Sequence, residues 1–367
     1  MKRKKTSAIL FILIIICTIY TLTNPFQTAF HARNAIKLCA FSLIPSLFVF
    51  MVFSRMLSHI CESVSSSGSF LKAISRFFSI PPVLLPICLS GLFCGAPSGA
   101  FAISRLYREG FCTKNQAEKA CIISNNCSAA FILGFVSAIL ESKSAVIYIL
   151  ISNISANIIV YLIFFRDEET KEESKTKESY PHKKFSEIIT DSISSSVTAT
   201  ATLCGYVIFF YTFTQIICDR LSSVIYKLPL LGSNSSLVTS AICSFFEITS
   251  GVLQMGFPDR EKAIVLCSAA IAFTSLSMIF QVLDIMTKAG LSVKNYIFSK
   301  ILCCFVSPII TVILLLLSPA SVFVYSQNAQ KITRGISQSD IFFLVFATAI
   351  SFTGAFILSQ LDKKHKK

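Results

Sequence analysis

Glu247 lies within the apolar stretch Leu237 to Val252 with no charge beside it. A carboxylate at mid-bilayer costs about 2.5 to 3.5 kcal/mol on insertion scales, so a lone one is expected to bind something, here a coupling proton or cation. At the headgroup level the cost would vanish, and the argument with it. Thr249, Ser250 and Gly251 follow directly and offer hydroxyls and a flexible backbone point. In the first half Gly95, Pro97, Ser98 and Gly99 fall in Phe93-Cys94-Gly95-Ala96-Pro97-Ser98-Gly99. A helix starting near Pro97 would aim unpaired N–H groups and a positive dipole end inward, an anion site built from backbone. Close helix packing by the glycines is the alternative reading.

Asn125 and Asn126 enter an apolar run from the helix that Asn115 to Glu118 can start. Two adjacent amides inside a membrane are costly unless matched, so they face a cavity or a neighbouring helix. Side chains of adjacent residues point about 100° apart, so at most one of the two can point fully at a ligand. Gln281 and Asp284, near the end of a long apolar helix, are further candidates, with Asp284 also readable as interfacial. Arg105 either attracts an anion or pairs with Glu109 four residues on. Lys37, Arg55, Lys72 and Arg76 read as snorkelling near helix ends. No CxxC or HExxH is present and the four histidines are scattered, so neither a metal nor a cofactor is expected. No nucleophile–base pair is visible, so the chain reads as a non-enzyme.

The elements that must position these residues are apolar helices. Hydrophobic residues make up 53% of the 367, charged residues only 14%, against about 25% charge in soluble domains. Disorder and a soluble enzyme are thereby excluded as descriptions of the whole. Stretches long enough to cross are Ser7 to Leu22, Ala35 to Leu57, Ser144 to Phe165, Ser195 to Cys218, Ala263 to Met286, Tyr296 to Leu317 and Ile341 to Ser359. Phe77 to Phe93, Ala129 to Leu140 and Leu237 to Val252 are less regular, which makes eight to ten segments with some incomplete. Ala100 to Tyr107 is too short to span and suits a re-entrant hairpin. The fold class is therefore all-α and polytopic.

The net charge of +14 comes from Lys and Arg flanking the apolar segments, with no stripe on a polar face, so lipid headgroups and not nucleic acid are the expected partner. Basic residues at Lys2 to Lys5 and Lys363 to Lys367 place both ends in the cytoplasm, which implies an even number of crossings. The first apolar run reads as a retained anchor helix, a cleaved signal being the alternative. The fourteen cysteines, Cys243 among them, mostly sit in apolar runs and read as small hydrophobes.

Residues 166 to 184 hold six acids and six Lys or Arg with almost nothing to bury, a solvated connector. The expected organisation is an anchor over 1–34, a first membrane repeat over 35–165, a charged linker over 166–190, a second repeat over 191–318, and a last loop, helix and basic tail over 319–367. The halves carry a similar series. The Phe93 to Gly99 text matches Phe245-Phe246-Glu247-Ile248-Thr249-Ser250-Gly251, then Gly110-Phe111 matches Gly256-Phe257, then Glu118-Lys119-Ala120 matches Glu261-Lys262-Ala263. Paired, glycine-interrupted apolar segments in corresponding positions are the best sequence pointer to a transporter's binding site. Gly99 and Gly251 would then approach each other at mid-membrane.

The motifs Gly95-Ala96-Pro97-Ser98-Gly99-Ala100, Leu106-Tyr107-Arg108-Glu109-Gly110, Ser124-Asn125-Asn126 and Phe246-Glu247-Ile248-Thr249-Ser250-Gly251, in this order, resemble the YlbJ (SpoVV) family of sporulation integral membrane proteins. That family belongs to the nucleoside-recognition or Gate-domain group. The resemblance runs from about Ala35 to Leu317 and includes Tyr296 and Lys300. It implies two inverted repeats with re-entrant hairpins, similar to concentrative nucleoside transporters. It also implies carriage of dipicolinic acid across the outer forespore membrane during sporulation, toward the spore cortex. The chain departs from the family at Ala96, often aromatic there, and at Cys127-Ser128-Ala129, where Gly-Pro is frequent. Glu247 suits a dianion poorly unless protonated or paired, which favours a coupling role. Nucleosides or cations as cargo, and a scaffold that transports nothing, are the alternatives; oligomeric state, homo-oligomers included, stays open.

Overall fold

The computed structural model describes residues 11, 14–15, 17–64, 69–166, 184–226, 235–255 and 260–317. The basic clusters at both ends, most of the charged linker, Gly256-Phe257 and the last apolar segment, Ile341 to Ser359, lie outside the described residues. Every regular element among those described is helical. In the first half α1 (Pro25–Leu38) runs through a π-helical turn (Cys39–Leu43) into α2 (Ile44–Val64), followed by α3 (Ser69–Phe78), α4 (Leu85–Cys94), α5 (Ser98–Glu109), α6 (Lys114–Ser124), a second π-helical turn (Phe131–Val136), α7 (Ser137–Leu140) and α8 (Lys143–Phe164). The second half has α9 (Phe185–Tyr226), α10 (Ser235–Phe246), α11 (Ile248–Leu253), α12 (Arg260–Phe273), α13 (Ser275–Lys288) and α14 (Lys294–Leu317).

Four stretches are long and apolar enough to cross a membrane: Lys143–Phe164, Phe185–Arg220, Glu261–Lys288 and Lys294–Leu317. A bent pair, Pro25–Leu43 with Leu47–Phe53, makes a fifth at a 55° angle. Phe77 to Phe93, Ala129 to Leu140 and Leu237 to Val252 are shorter broken pieces here. At about 1.5 Å per residue, the ten residues of α4 reach only about half of the 30 Å hydrocarbon layer.

Burial separates the roles of the long helices. α8 is 83% buried over its apolar window, whereas α9 and α14 are 28% buried. α8 is thus a central post, and Phe209, Phe305, Ile309 and Leu316 on the outer helices face outward, where lipid rather than water suits them. α14 lies against α8 and α12, while α9 lies against α1 and α2. Among α8, α12 and α14 a hydroxyl cluster replaces lipid-like packing: Thr311 Oγ1 lies within hydrogen-bond distance of Ser152 Oγ at 2.8 Å and of Ser268 Oγ at 2.7 Å, and Ser268 meets Ser307 at 2.8 Å. Cys243, expected as a small hydrophobe, is instead disulfide-bonded to Cys218, joining α9 to α10.

Each half contains the same run of elements: a short helix, a break, a second short helix, a turn, a third helix, a second break, and later a membrane-length helix. The series is α4–α5–α6–α8 in the first half and α10–α11–α12–α14 in the second. The breaks fall at Gly95–Pro97, Asn125–Ser128, Glu247 and Thr274.

Candidate functional site

At the first break Gly95 adopts φ +76°, a conformation that glycine reaches without strain, and the Ala96 N–H donates to Asn126 O at 2.7 Å. The first two breaks are therefore tied to each other. Pro97 precedes α5, whose first residue is Ser98, and Ser98 Oγ donates back to Gly95 O at 2.6 Å. Asn125 accepts the Ala100 N–H at 2.8 Å and donates to Cys121 O and Ser124 Oγ. Both ends of its amide are thus engaged within the first half. A Cβ at Gly91 or Gly99 would overlap Ser124, so these glycines seat α4 and α5 against α6.

Glu247 is 1% exposed and caps α11. Its carboxylate accepts the N–H of Thr249 at 3.1 Å and of Ser250 at 2.7 Å, and also the Thr249 hydroxyl. Three donors offset much of the cost of removing the carboxylate from water. Gln215 on α9 donates to Ser250 Oγ at 2.7 Å, linking α11 to the long outer helix. A Cβ at Gly251 would meet Ser244, so Gly99 and Gly251 are each closed by a serine of their own half.

The fourth break was not expected. Thr274 and Ser275 take φ of +72° and +68°, a rare region for side chains with a Cβ and rarest for a β-branched one. The conformation splits the apolar stretch Ala263 to Met286 into α12 and α13 without any glycine or proline. Gln281 on α13 is 3% exposed and its Oε1 has no hydrogen-bond partner; α13 lies against α5 of the first half. Ser244 and Ser275, beside the third and fourth breaks, also carry buried hydroxyls without partners. Asp284, by contrast, is part-exposed and pairs with Lys288 at 2.7 Å. Arg105 meets Glu109 at 3.9 Å, as the spacing suggested.

Lys300 falls within the family resemblance, but the sequence reading gave it no role. It rides on α14, has no solvent exposure, and its Nζ donates to Asn126 Oδ1 at 2.6 Å and Asn157 Oδ1 at 3.2 Å. The Tyr296 ring centre lies 5.5 Å from the ammonium. Of the Asn125–Asn126 pair, one amide braces the first half and the other meets a cation from the second. One available signal was a lone lysine four residues inside an apolar run. Among the described residues no group of three or more His, Cys, Asp or Glu side chains is placed to hold a metal ion.

Over 307 aligned residues the sequence is 24% identical to the sporulation integral membrane protein YlbJ of Bacillus subtilis (strain 168), with 75% of each chain covered. The chain is therefore similar to YlbJ over most of its length. No protein-family model matches it, and no solved structure gives a significant match. Kinship with YlbJ and the membrane-length helices together make it a multi-pass integral membrane protein. The alignment to YlbJ spans three quarters of either protein, so the likeness is not confined to one motif.

Proposed function

We propose that this protein carries a small organic anion across a membrane, with the two halves moving about the region where their helix breaks come together. The observation that carries the reading is the paired breaks: two in each half, buried, in the same element order, with unpartnered polar atoms at Ser244, Ser275 and Gln281 beside them. Broken helices at membrane depth are tolerated where protein or a water-lined cavity serves the freed backbone, and they form the binding sites of many secondary transporters. Inverted repeats of the concentrative nucleoside transporter kind belong to the same proposal.

Kinship with YlbJ supports a role in sporulation. The cargo we assign is dipicolinate, and the site of action the outer forespore membrane. Gly95, Pro97, Ser98, Gly99, Asn126, Thr249, Ser250, Gly251 and Gln281 line or shape the path, Asn125 holds its first-half wall, and Glu247 couples transport to a proton or cation.

One set of contacts favours a different reading. The glycines seated on Ser124 and Ser244, and the fully engaged Asn125, are what a scaffold that only knits its helices would also need. Uptake of labelled dipicolinate into proteoliposomes separates the two. Accumulation above protein-free vesicles supports the carrier, and none with correctly inserted protein supports the scaffold.

A further inference from the structure

We infer that Lys300, with Asn153 and Asn157, forms a carboxylate anchor inside the membrane core. The inference rests on the transport reading and names the chemical group that the cargo must present. Protonated, Lys300 places a cation at a site without solvent exposure, where both of its hydrogen-bond acceptors are neutral amide oxygens. Among the described residues no carboxylate lies within ion-pair distance of it. A buried charge lacking a counter-charge is costly, and sites that keep one generally serve a ligand or a relay.

The surroundings offer donors in excess. An ammonium group has three N–H donors and Lys300 uses two. Asn157, which accepts from Lys300, donates its own amide to Asn153 O at 2.9 Å and lies 3.5 Å from Asn153 Oδ1. Asn153 is 1% exposed, one turn back along α8, and its Nδ2 has no acceptor. One spare ammonium N–H and one unused amide thus sit a single carboxamide apart with nothing to accept them. A carboxylate supplies both the missing negative charge and the missing acceptors, since its two oxygens take up to four hydrogen bonds. A metal cation would meet like charge here, and a neutral amide cargo would leave the charge uncompensated. Because Lys300 belongs to the second half and Asn126, Asn153 and Asn157 to the first, an anion bound here would bridge the two.

The test uses the purified full-length chain in lipid nanodiscs and two isosteric probes, pyridine-2,6-dicarboxylate and pyridine-2,6-dicarboxamide, followed by titration calorimetry. The parent protein should bind the dicarboxylate at least about thirtyfold more tightly than the diamide. Lys300→Gln should reduce that preference to within about threefold of unity, and Asn153→Ala should weaken dicarboxylate binding alone. Equal binding of the two probes by the parent, which needs no variant to fold, would overturn the anchor while leaving a carrier of neutral cargo. Full preference retained in Lys300→Gln would overturn it while leaving anion transport intact. Binding of neither probe would remove both the anchor and the reading on which it rests.

Discussion

Glu118 Oε1 on α6 accepts the backbone N–H of Ser292 at 2.7 Å, from the turn that leads into α14. Eight residues farther along both segments Asn126 meets Lys300, so the two contacts share one offset and the segments run parallel. The halves are therefore held in register at two points. Glu118→Ala should lower the thermal unfolding midpoint in detergent, by an amount corresponding to about 1 to 3 kcal/mol, because the Ser292 N–H loses its partner. Glu118→Gln keeps an acceptor and should retain most of the stability.

Gly251 has no room for a methyl group, since Ser244 backbone and side chain occupy the space where a Cβ would go. Gly205, within α9, has nothing within 4 Å of that position. Gly251→Ala should therefore destabilise by about 1 to 3 kcal/mol through overpacking, whereas Gly205→Ala should be neutral or stabilise by up to about 1 kcal/mol through helix propensity. Thermal unfolding of the two variants side by side reads the difference.

Thr274 holds a left-handed conformation that costs of order 1 to 3 kcal/mol for a residue of its kind. Thr274→Gly should keep the break and raise the unfolding midpoint, by roughly 1 kcal/mol or more in free energy, as strain is relieved. A lowered midpoint would show instead that the Thr274 hydroxyl, which donates to Phe273 O at 2.6 Å, matters more than the strain.

Glu247 caps α11, and the coupling role proposed for it can be separated from that duty. Glu247→Ala removes the acceptor for Thr249 and Ser250 and should cost about 0.5 to 2 kcal/mol of stability. Glu247→Gln keeps an oxygen for capping but cannot bind or release a proton. In proteoliposomes it should abolish gradient-driven accumulation of dipicolinate by about tenfold or more while leaving counterflow exchange near the parental rate. Loss of both activities together would assign Glu247 to substrate contact or structure and not to coupling.

Much of this architecture was legible in the residues themselves. An apolar run of membrane length encodes its own helix, because in lipid the backbone can satisfy its hydrogen bonds only within the segment, and α8 and α14 begin and end within two residues of the reading. Gly95 and Pro97 announced a break for the same local reason, and Glu247 stood out because charge is rare in such a run. Local chemistry could not place Thr274, a residue with no conformational preference for a break, whose left-handed backbone exists only within the packed surroundings of α12 and α13. Nor could it tell Lys300 from a snorkelling lysine. Its burial depends on amide oxygens 174 and 143 residues away in the chain, and only the meeting of α6, α8 and α14 brings them to the ammonium. Sequence by itself determined which segments are apolar enough to enter a membrane and where glycine, proline and a lone acid interrupt them, since those are costs borne by single residues. The tertiary structure alone decided which polar groups find partners and which are left with spare donors, since that depends on neighbours contributed by distant parts of the chain.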